Sequence, residues 1–467
     1  MDSSTFLRKS SPPIQNLKQA RMIIQGYSVF LTLLIVAGAG PILILFFPMG
    51  SLAVGVFLYR KAPLLYVSFT WWITFVGTVI RRIIDYRCGY LTWGPWGLTG
   101  QLVAFISVAT LAKYLPKAHK QGALPFIFCI GAVSYSVLVG LIQNPANKVI
   151  TSSLEWLCPI LFGFHLFINW RDYPSYRQTI QRAFLWGVLV MGTYGILQFI
   201  LAPEWDRFWL NNITATSFGL PEPFKIRVSS TLGSPQGFAS VMMAGLIVLF
   251  CSSQQLIRFL GSGVGYLSFL LSMARTAWLS FMAGLPIFLI SLRSSFQIRT
   301  IISLLLVIIL VVPLASMEPF SELINERLES FSSSTDDHSY EARLEGYNQL
   351  LNQALAEFSG NGQGFRLNVE ASIGASDSTI LPMLFTLGWF GTIPYLVGVF
   401  LLLFLLFQGN TSRIDPFNAA ARAITLGIFA QFGLNFMFVG PIGMIFWGFL
   451  AMGIAGHKYY LHQRNTS

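Results

Sequence analysis

Charge is scarce in this chain. Only 10% of its 467 residues are Asp, Glu, Lys or Arg and 54% are hydrophobic, whereas soluble proteins are about a quarter charged. Alternation of polar and apolar residues along the apolar runs is missing too, which excludes the spans of a β-barrel. Cysteine is limited to Cys88, Cys129, Cys158 and Cys251. There is no CxxC and no paired framework, and the last three lie in apolar runs, where thiols pack as small hydrophobes. HExxH and Cys/His ligand spacings are absent, so no metal site is readable, and no GxxxxGK[ST] points to nucleotide hydrolysis. The glycine-rich "GNGQGF" (360–365) follows a helical pattern rather than a strand, so a dinucleotide site fails its context test. No cofactor is expected. No period of 20–50 residues suggests a solenoid.

What is present is a succession of apolar windows, each long enough to cross a bilayer core of about 30 Å. They fall near 23–40, 42–59, 63–80, 97–112, 122–142, 150–169, 183–202, 236–252, 259–273, 276–292, 300–316, 379–407, 418–437 and 440–457. The pair flanking Arg275 reads as a hairpin or one broken helix, so twelve to fourteen spans are expected. The fold class is all-α integral membrane protein. No cleavable signal peptide is visible, and residues 1–26 read as a basic cytosolic tail. A transmembrane bundle over 27–316 follows, with an outer loop at 203–235. A large loop spans 317–378, C-terminal helices 379–459, and a short cytosolic tail 460–467.

Orientation follows from the basic loops. With the N-terminus inside, Arg60-Lys61, "KYLPKAHK" (113–120), "RDYPSYRQTIQR" (171–182), Arg258, "RSSFQIR" (293–299), Arg413 and "HKYYLHQR" (457–464) all fall inside, as the positive-inside rule requires. Both termini are then cytosolic. The net charge of +11 is explained by these loops, and no nucleic acid partner is expected. One outer loop disobeys: "RRIIDYRCGY" (81–90) carries three arginines. A single violation does not overturn the parity; it marks arginines with a task at the outer face.

The loop 317–378 holds 11 of the chain's 19 acidic residues and only Arg327, Arg343 and Arg366 against them. It carries −8, and the remainder carries +19. An acidic segment crosses the membrane readily, so the loop is placed outside. Within it, Leu344, Tyr347, Leu351, Leu355 and Phe358 recur at helical spacing, with Ser339 placed to start the helix and Gly360 to end it. This amphipathic helix is expected to bury its stripe against the outer mouth of the bundle or the headgroup layer.

Four charged side chains carry candidate chemistry. Arg275 has apolar sequence on both sides, which suits either a snorkelling arginine or an anion ligand at a cavity mouth. Arg227 precedes a Gly- and Ser-rich approach to a span, a place where backbone N–H groups can meet a phosphate. Arg343 lies beside the stripe of the loop helix. Asp377 opens a long span, as a helix cap or a general base. Trp205, Phe208 and Trp209 read as part of the interfacial aromatic belt.

Four stretches in order, "RVSSTLGSPQGFAS" (227–240), "SMARTAW" (272–278), "EARLEGYNQLLNQALAEFSGNGQGF" (341–365) and "DSTILPMLFTLGWFG" (377–391), resemble the O-antigen ligase and Wzy-type O-antigen polymerase superfamily of polytopic membrane glycosyltransferases. The resemblance covers roughly 225–440. It implies a GT-C-like bundle with a large extracytoplasmic loop. Arg227, Arg275 and Arg343 match the family's arginines, and Gly360, Gly362 and Gly364 its loop-shaping glycines. Where the ligases carry His-Asn, this chain has Asp377-Ser378, which resembles the polymerase branch.

The resemblance implies a metal-independent glycosyltransferase acting on undecaprenyl-diphosphate-linked oligosaccharide at the outer face of a bacterial cytoplasmic membrane. Its partners would be that lipid-linked glycan, the bilayer and other polysaccharide export components. The residue types suit the chemistry. Arginine holds phosphate oxygens through two N–H bonds and stays charged. Asp377 would take the acceptor's proton. The alternatives are a ligase that moves the glycan to another acceptor, or a transporter for an anion or small solute. A transporter should carry its polar residues near the midplane of paired repeats. Here the unusual charges cluster at one face and no repeat is visible.

Overall fold

The computed structural model describes residues 14–91, 94–213, 218–252, 254–318, 350–365, 378–408 and 415–466. Nine helices among them are long and apolar enough to cross a membrane. They are α1 (Ile14–Val36), α2 (Gly40–Lys61), α3 (Pro63–Cys88), the run containing α4 (Thr99–Phe105) and α5 (Val108–Tyr114), α6 (Leu124–Gln143), α7 (Ala146–Ile168), α8 (Tyr173–Leu201), α14 (Ile380–Phe407) and α16 (Gly440–Thr466). The amphipathic α9 (Glu204–Asn212) follows α8. Shorter helices α10 (Pro235–Leu249), α11 (Gln255–Leu271), α12 (Arg275–Ser291), α13 (Ser294–Ala315) and α15 (Pro416–Phe429) complete the set. No strand occurs among the described residues. The chain is an all-α polytopic membrane protein.

The helices fall on the apolar windows of the sequence, with two refinements. α1 begins at Ile14, inside the segment read as a tail. The pair around Arg275 is a hairpin: α11 ends at Leu271 and α12 starts at Arg275.

α16 is the most enclosed of the nine long helices. It meets α7 closely enough that a Cβ on Gly163 would lie 2.8 Å from the Trp447 carbonyl oxygen. Small residues at such crossings let dispersion act across lipid-free helix faces. Rings of α3, α7, α8 and α16 fill the centre, with Trp71 edge-on to Phe162 and Phe184 at 5.5 and 4.9 Å.

Polar contacts sort to the two ends. At one, Asp415 accepts from Tyr173 (2.6 Å), Arg177 (2.9 Å) and Tyr460 (3.2 Å). Lys458 donates there to the Gln121 carbonyl. This end carries the basic loops. The other end gathers the segments 203–213 and 218–234, the 272–274 turn, residues 357–365 and the entry to α14. The candidate site lies there.

Candidate functional site

Arg82, one of the arginines that break the positive-inside rule, is the fixed point of this end. Its guanidinium donates to Asp206 Oδ1 (2.8 Å), the Ser230 carbonyl (2.8 Å), Ser229 Oγ (3.0 Å) and the Leu232 carbonyl. The Trp209 ring covers it at 4.8 Å. Asp206 also accepts from Tyr194 Oη (2.9 Å) and Gln198 Nε2 (3.1 Å). Gln198 Oε1 takes the amides of Ser229 and Ser230. Two buried charges are tolerable only when paired and hydrogen-bonded in this way. The result is a rigid path for the chain from Arg227 to α10.

That path corrects two expectations. The amides after Arg227 are not a phosphate cradle: Val228 N–H donates to the Leu271 carbonyl, and those of Ser229 and Ser230 are already taken. The start of α10 is capped by Ser234 Oγ, which accepts from Gly237 N. Nor does Trp209 belong to an aromatic belt, since it is buried against Arg82.

Arg227 and the turn bearing Arg275 come together. Arg227 Nη2 donates to the Met273 carbonyl at 3.0 Å. Met273 holds a left-handed φ of 51°, a conformation a bulky residue adopts only when its surroundings enforce it. Two residues on, Arg275 is the first residue of α12. A cation there opposes the helix dipole, while an anion would be favoured by it. Both arginines are half-buried. Arg343 and Asp377 lie outside the described residues. Their described neighbours are anchored: Thr379 Oγ1 donates to the Asn435 carbonyl (2.6 Å) and accepts from Met437 N (3.2 Å).

Gly360, Gly362 and Gly364 shape the loop end. All three have positive φ, at 71°, 74° and 85°. A Cβ on Gly362 would sit 2.1 Å from the Gly140 nitrogen, and one on Gly360 2.4 Å from the Gly388 nitrogen. Gly388 interrupts α14 (φ 61°, ψ −177°). The wedge repairs the break. Asn361 N–H and Gly362 N–H donate to the carbonyls of Phe385 and Thr386; Trp389 N–H and Phe390 N–H donate to Glu357 and Phe358. Irregular backbone at this depth survives because each freed group finds a partner. The amides of Asn361, Gly362 and Gln363 are therefore occupied, and this part of the wedge docks the loop.

The docked helix differs in part from the sequence reading. Over 350–356 it buries Leu350 and Ala354 against Leu381, Leu384 and Phe385, whereas Leu355 and Phe358 are exposed. The packed face is thus turned toward Leu350 and Ala354, with Leu351 of the expected stripe at its edge, partly buried against the same cluster. Ala354 allows close approach to α14, and Trp389 Nε1 fixes the contact by donating to the Leu355 carbonyl (2.9 Å).

Beside the wedge lies a cavity that the sequence reading missed. It has two adjoining lobes of about 250 and 390 Å³, which share Arg81, Gly97, Gln101 and Glu155. Lys148, Thr151, Ser152 and Glu155 line it from α7, and Gly364 and Phe365 from the wedge. Asp85 orients two of its residues, Arg81 at 3.4 Å and the Trp96 indole at 3.3 Å. A signal was available: the α7 residues recur at i, i+3, i+4 and i+7, a polar stripe on an apolar span. Arg227 and Arg275 are not among its described lining residues.

No curated protein matches the chain. Residues 257–396 match the family model Wzy_C, described as O-antigen ligase. The matched segment runs from the second residue pair of α11 through the Arg275 turn, the large loop and the break in α14. It supports a membrane function of the O-antigen ligase or polymerase type. The resemblance to the O-antigen ligase and Wzy-type superfamily is thus shown over residues 257–396.

Proposed function

We propose that the chain polymerises polyprenyl-diphosphate-linked oligosaccharide repeat units at the outer face of a bacterial cytoplasmic membrane, with both termini cytosolic. The observation that supports this reading is the meeting of Arg227 with the Arg275 turn through the Met273 carbonyl; the turn lies inside residues 257–396, the segment of ligase-family likeness, and Arg227 reaches it from outside that segment. Arg227, Arg275 and Arg343 hold the diphosphate. An acceptor sugar hydroxyl attacks the anomeric carbon of the donor, a new glycosidic C–O bond forms, and the C–O bond to the diphosphate breaks with its electron pair leaving on the phosphate oxygen. The arginines offset the charge that develops there. Asp377 takes the hydroxyl proton. The apolar flank accommodates the polyprenyl tail, and other export components would receive the product. The glycan that accumulates when the gene is deleted tests the reading. Single lipid-linked repeat units support a polymerase; full-length lipid-linked polymer overturns it in favour of a ligase.

A further inference from the structure

The two-lobed cavity has charges that the diphosphate arginines do not explain. A carboxylate on a membrane-spanning helix is costly, and such residues face cavities where they serve binding or proton transfer. Glu155 sits at the junction of the lobes. The α7 wall also presents the hydroxyl oxygens of Thr151 and Ser152, which donate to the Asn147 carbonyl and to Gln363 Oε1 and so face the cavity as acceptors; Gln101 lines it from α4. The cations nearby are Arg81 and Lys148. Arg81 is already matched by Asp85 at 3.4 Å, which leaves Lys148 against Glu155 and a pocket close to neutral. A diphosphate would meet the Glu155 carboxylate here without surplus positive charge. A hydroxyl-rich, uncharged ligand would meet acceptors and donors on one side and indole on the other.

The walls suit such a ligand. Trp96 and Trp209 line one lobe. Trp96 is held by its indole bond to Asp85, and Trp209 by its stack on Arg82. Rigid aromatic faces with a few placed polar groups are the usual make-up of small-ligand pockets, which run to about 300–1,000 Å³. The cavity also borders both halves of the transfer machinery. Gly233 and Ser234 in its wall lie a few residues past Arg227, and Gly364 and Phe365 end the docked loop.

We propose that this cavity binds the acceptor sugar, with the Glu155 carboxylate receiving hydrogen bonds from its hydroxyls. Glu155 here binds and orients the acceptor; the donor diphosphate stays with the arginines. The inference rests on the transfer reading above, and the experiment separates the two. The purified chain in phospholipid nanodiscs is given, as donor, the lipid-linked repeat unit isolated from the deletion strain. The acceptor is the water-soluble oligosaccharide released from that lipid. Absence of transfer by the unaltered chain overturns the transfer reading, and this inference with it, before any variant is made.

With transfer established, Glu155→Gln is expected to raise the acceptor KM about tenfold or more, the scale of a lost charge-assisted bond, with the donor KM unchanged. Arg227→Ala should instead raise the donor KM and lower kcat steeply, with the acceptor KM unchanged. Gly100→Ala gives an independent probe. The atoms nearest to a methyl there are those of Thr74 and Ile73, at 3.7 Å or beyond, so it adds bulk to the cavity wall without straining the bundle. It should raise the acceptor KM several-fold, and it decides the matter alone if Glu155→Gln does not fold. An unchanged acceptor KM in both variants, a raised donor KM, or a fall in kcat with both KM values intact would each overturn the assignment.

Discussion

Arg82 and Asp206 meet at 2.8 Å with side chains 2% and 0% exposed, joining α3 to a helix 124 positions further along the chain. Breaking a buried pair by removing one partner strands the other charge and costs about 3–5 kcal/mol. Arg82→Met should therefore lower the thermal midpoint in nanodiscs sharply and abolish polymer, because the Arg227 path loses its anchor. Replacing Asp206 by Leu in the same chain should recover part of the stability, since no charge is then left alone. A double variant as unstable as the sum of the singles would show that the pair is not coupled.

The glycine wedge gives a second prediction. Gly360→Ala places a Cβ against the Gly388 nitrogen at a left-handed φ, adding backbone strain of about 1–3 kcal/mol to the clash. The loop should undock from α14, and limited proteolysis of oriented vesicles should then cut within 350–365 where the unaltered chain resists. Gly433→Ala is the matched control, since a Cβ there meets nothing within 4 Å. Equal resistance in both variants would remove the docking role.

For the diphosphate arginines, Arg227→Ala, Arg275→Ala and Arg343→Ala should each abolish long-chain polysaccharide in a deletion strain at unchanged protein level. Arg227→Lys should recover little, because an ammonium lacks the planar fork. Gel profiles of normal chain length from all three alanine variants would retire the assignment.

The spans were legible in the sequence because bilayer thickness imposes a length on every apolar run, and that constraint is local. The Arg275 turn was legible for the same reason: a charge amid apolar sequence is expensive wherever it falls. The partners of Arg82 were not. Asp206 and the 229–232 segment are distant in sequence, and nothing in either marks the other. The loop helix misled in part: Leu351 does pack against α14, but Leu355 and Phe358 stay exposed and the closest packing falls on Leu350 and Ala354 instead. Hydropathy cannot tell a protein-facing stripe from a membrane-facing one. Glu155 was hidden by its setting: window averages absorb one carboxylate, and only the i, i+3, i+4, i+7 spacing with Lys148, Thr151 and Ser152 singles it out.

Asp377 reads from the sequence both as a helix cap and as a base, and a pair of variants at the start of α14 separates the roles. The Leu381 amide donates to Ser378 Oγ at 3.4 Å, and Thr379 is bonded to the 435–437 backbone on two sides. Described residues thus already fix this helix terminus. Asp377→Asn keeps the shape and capping capacity of the side chain while removing its basicity. It is expected to leave the unfolding free energy within about 0.5 kcal/mol of that of the unaltered chain, and to cut turnover about a hundredfold or more, as loss of a general base does. Ser378→Ala should behave oppositely, with turnover kept and stability reduced. If Asp377→Asn transfers glycan at the full rate, the proton goes elsewhere and the aspartate has no part in the chemistry.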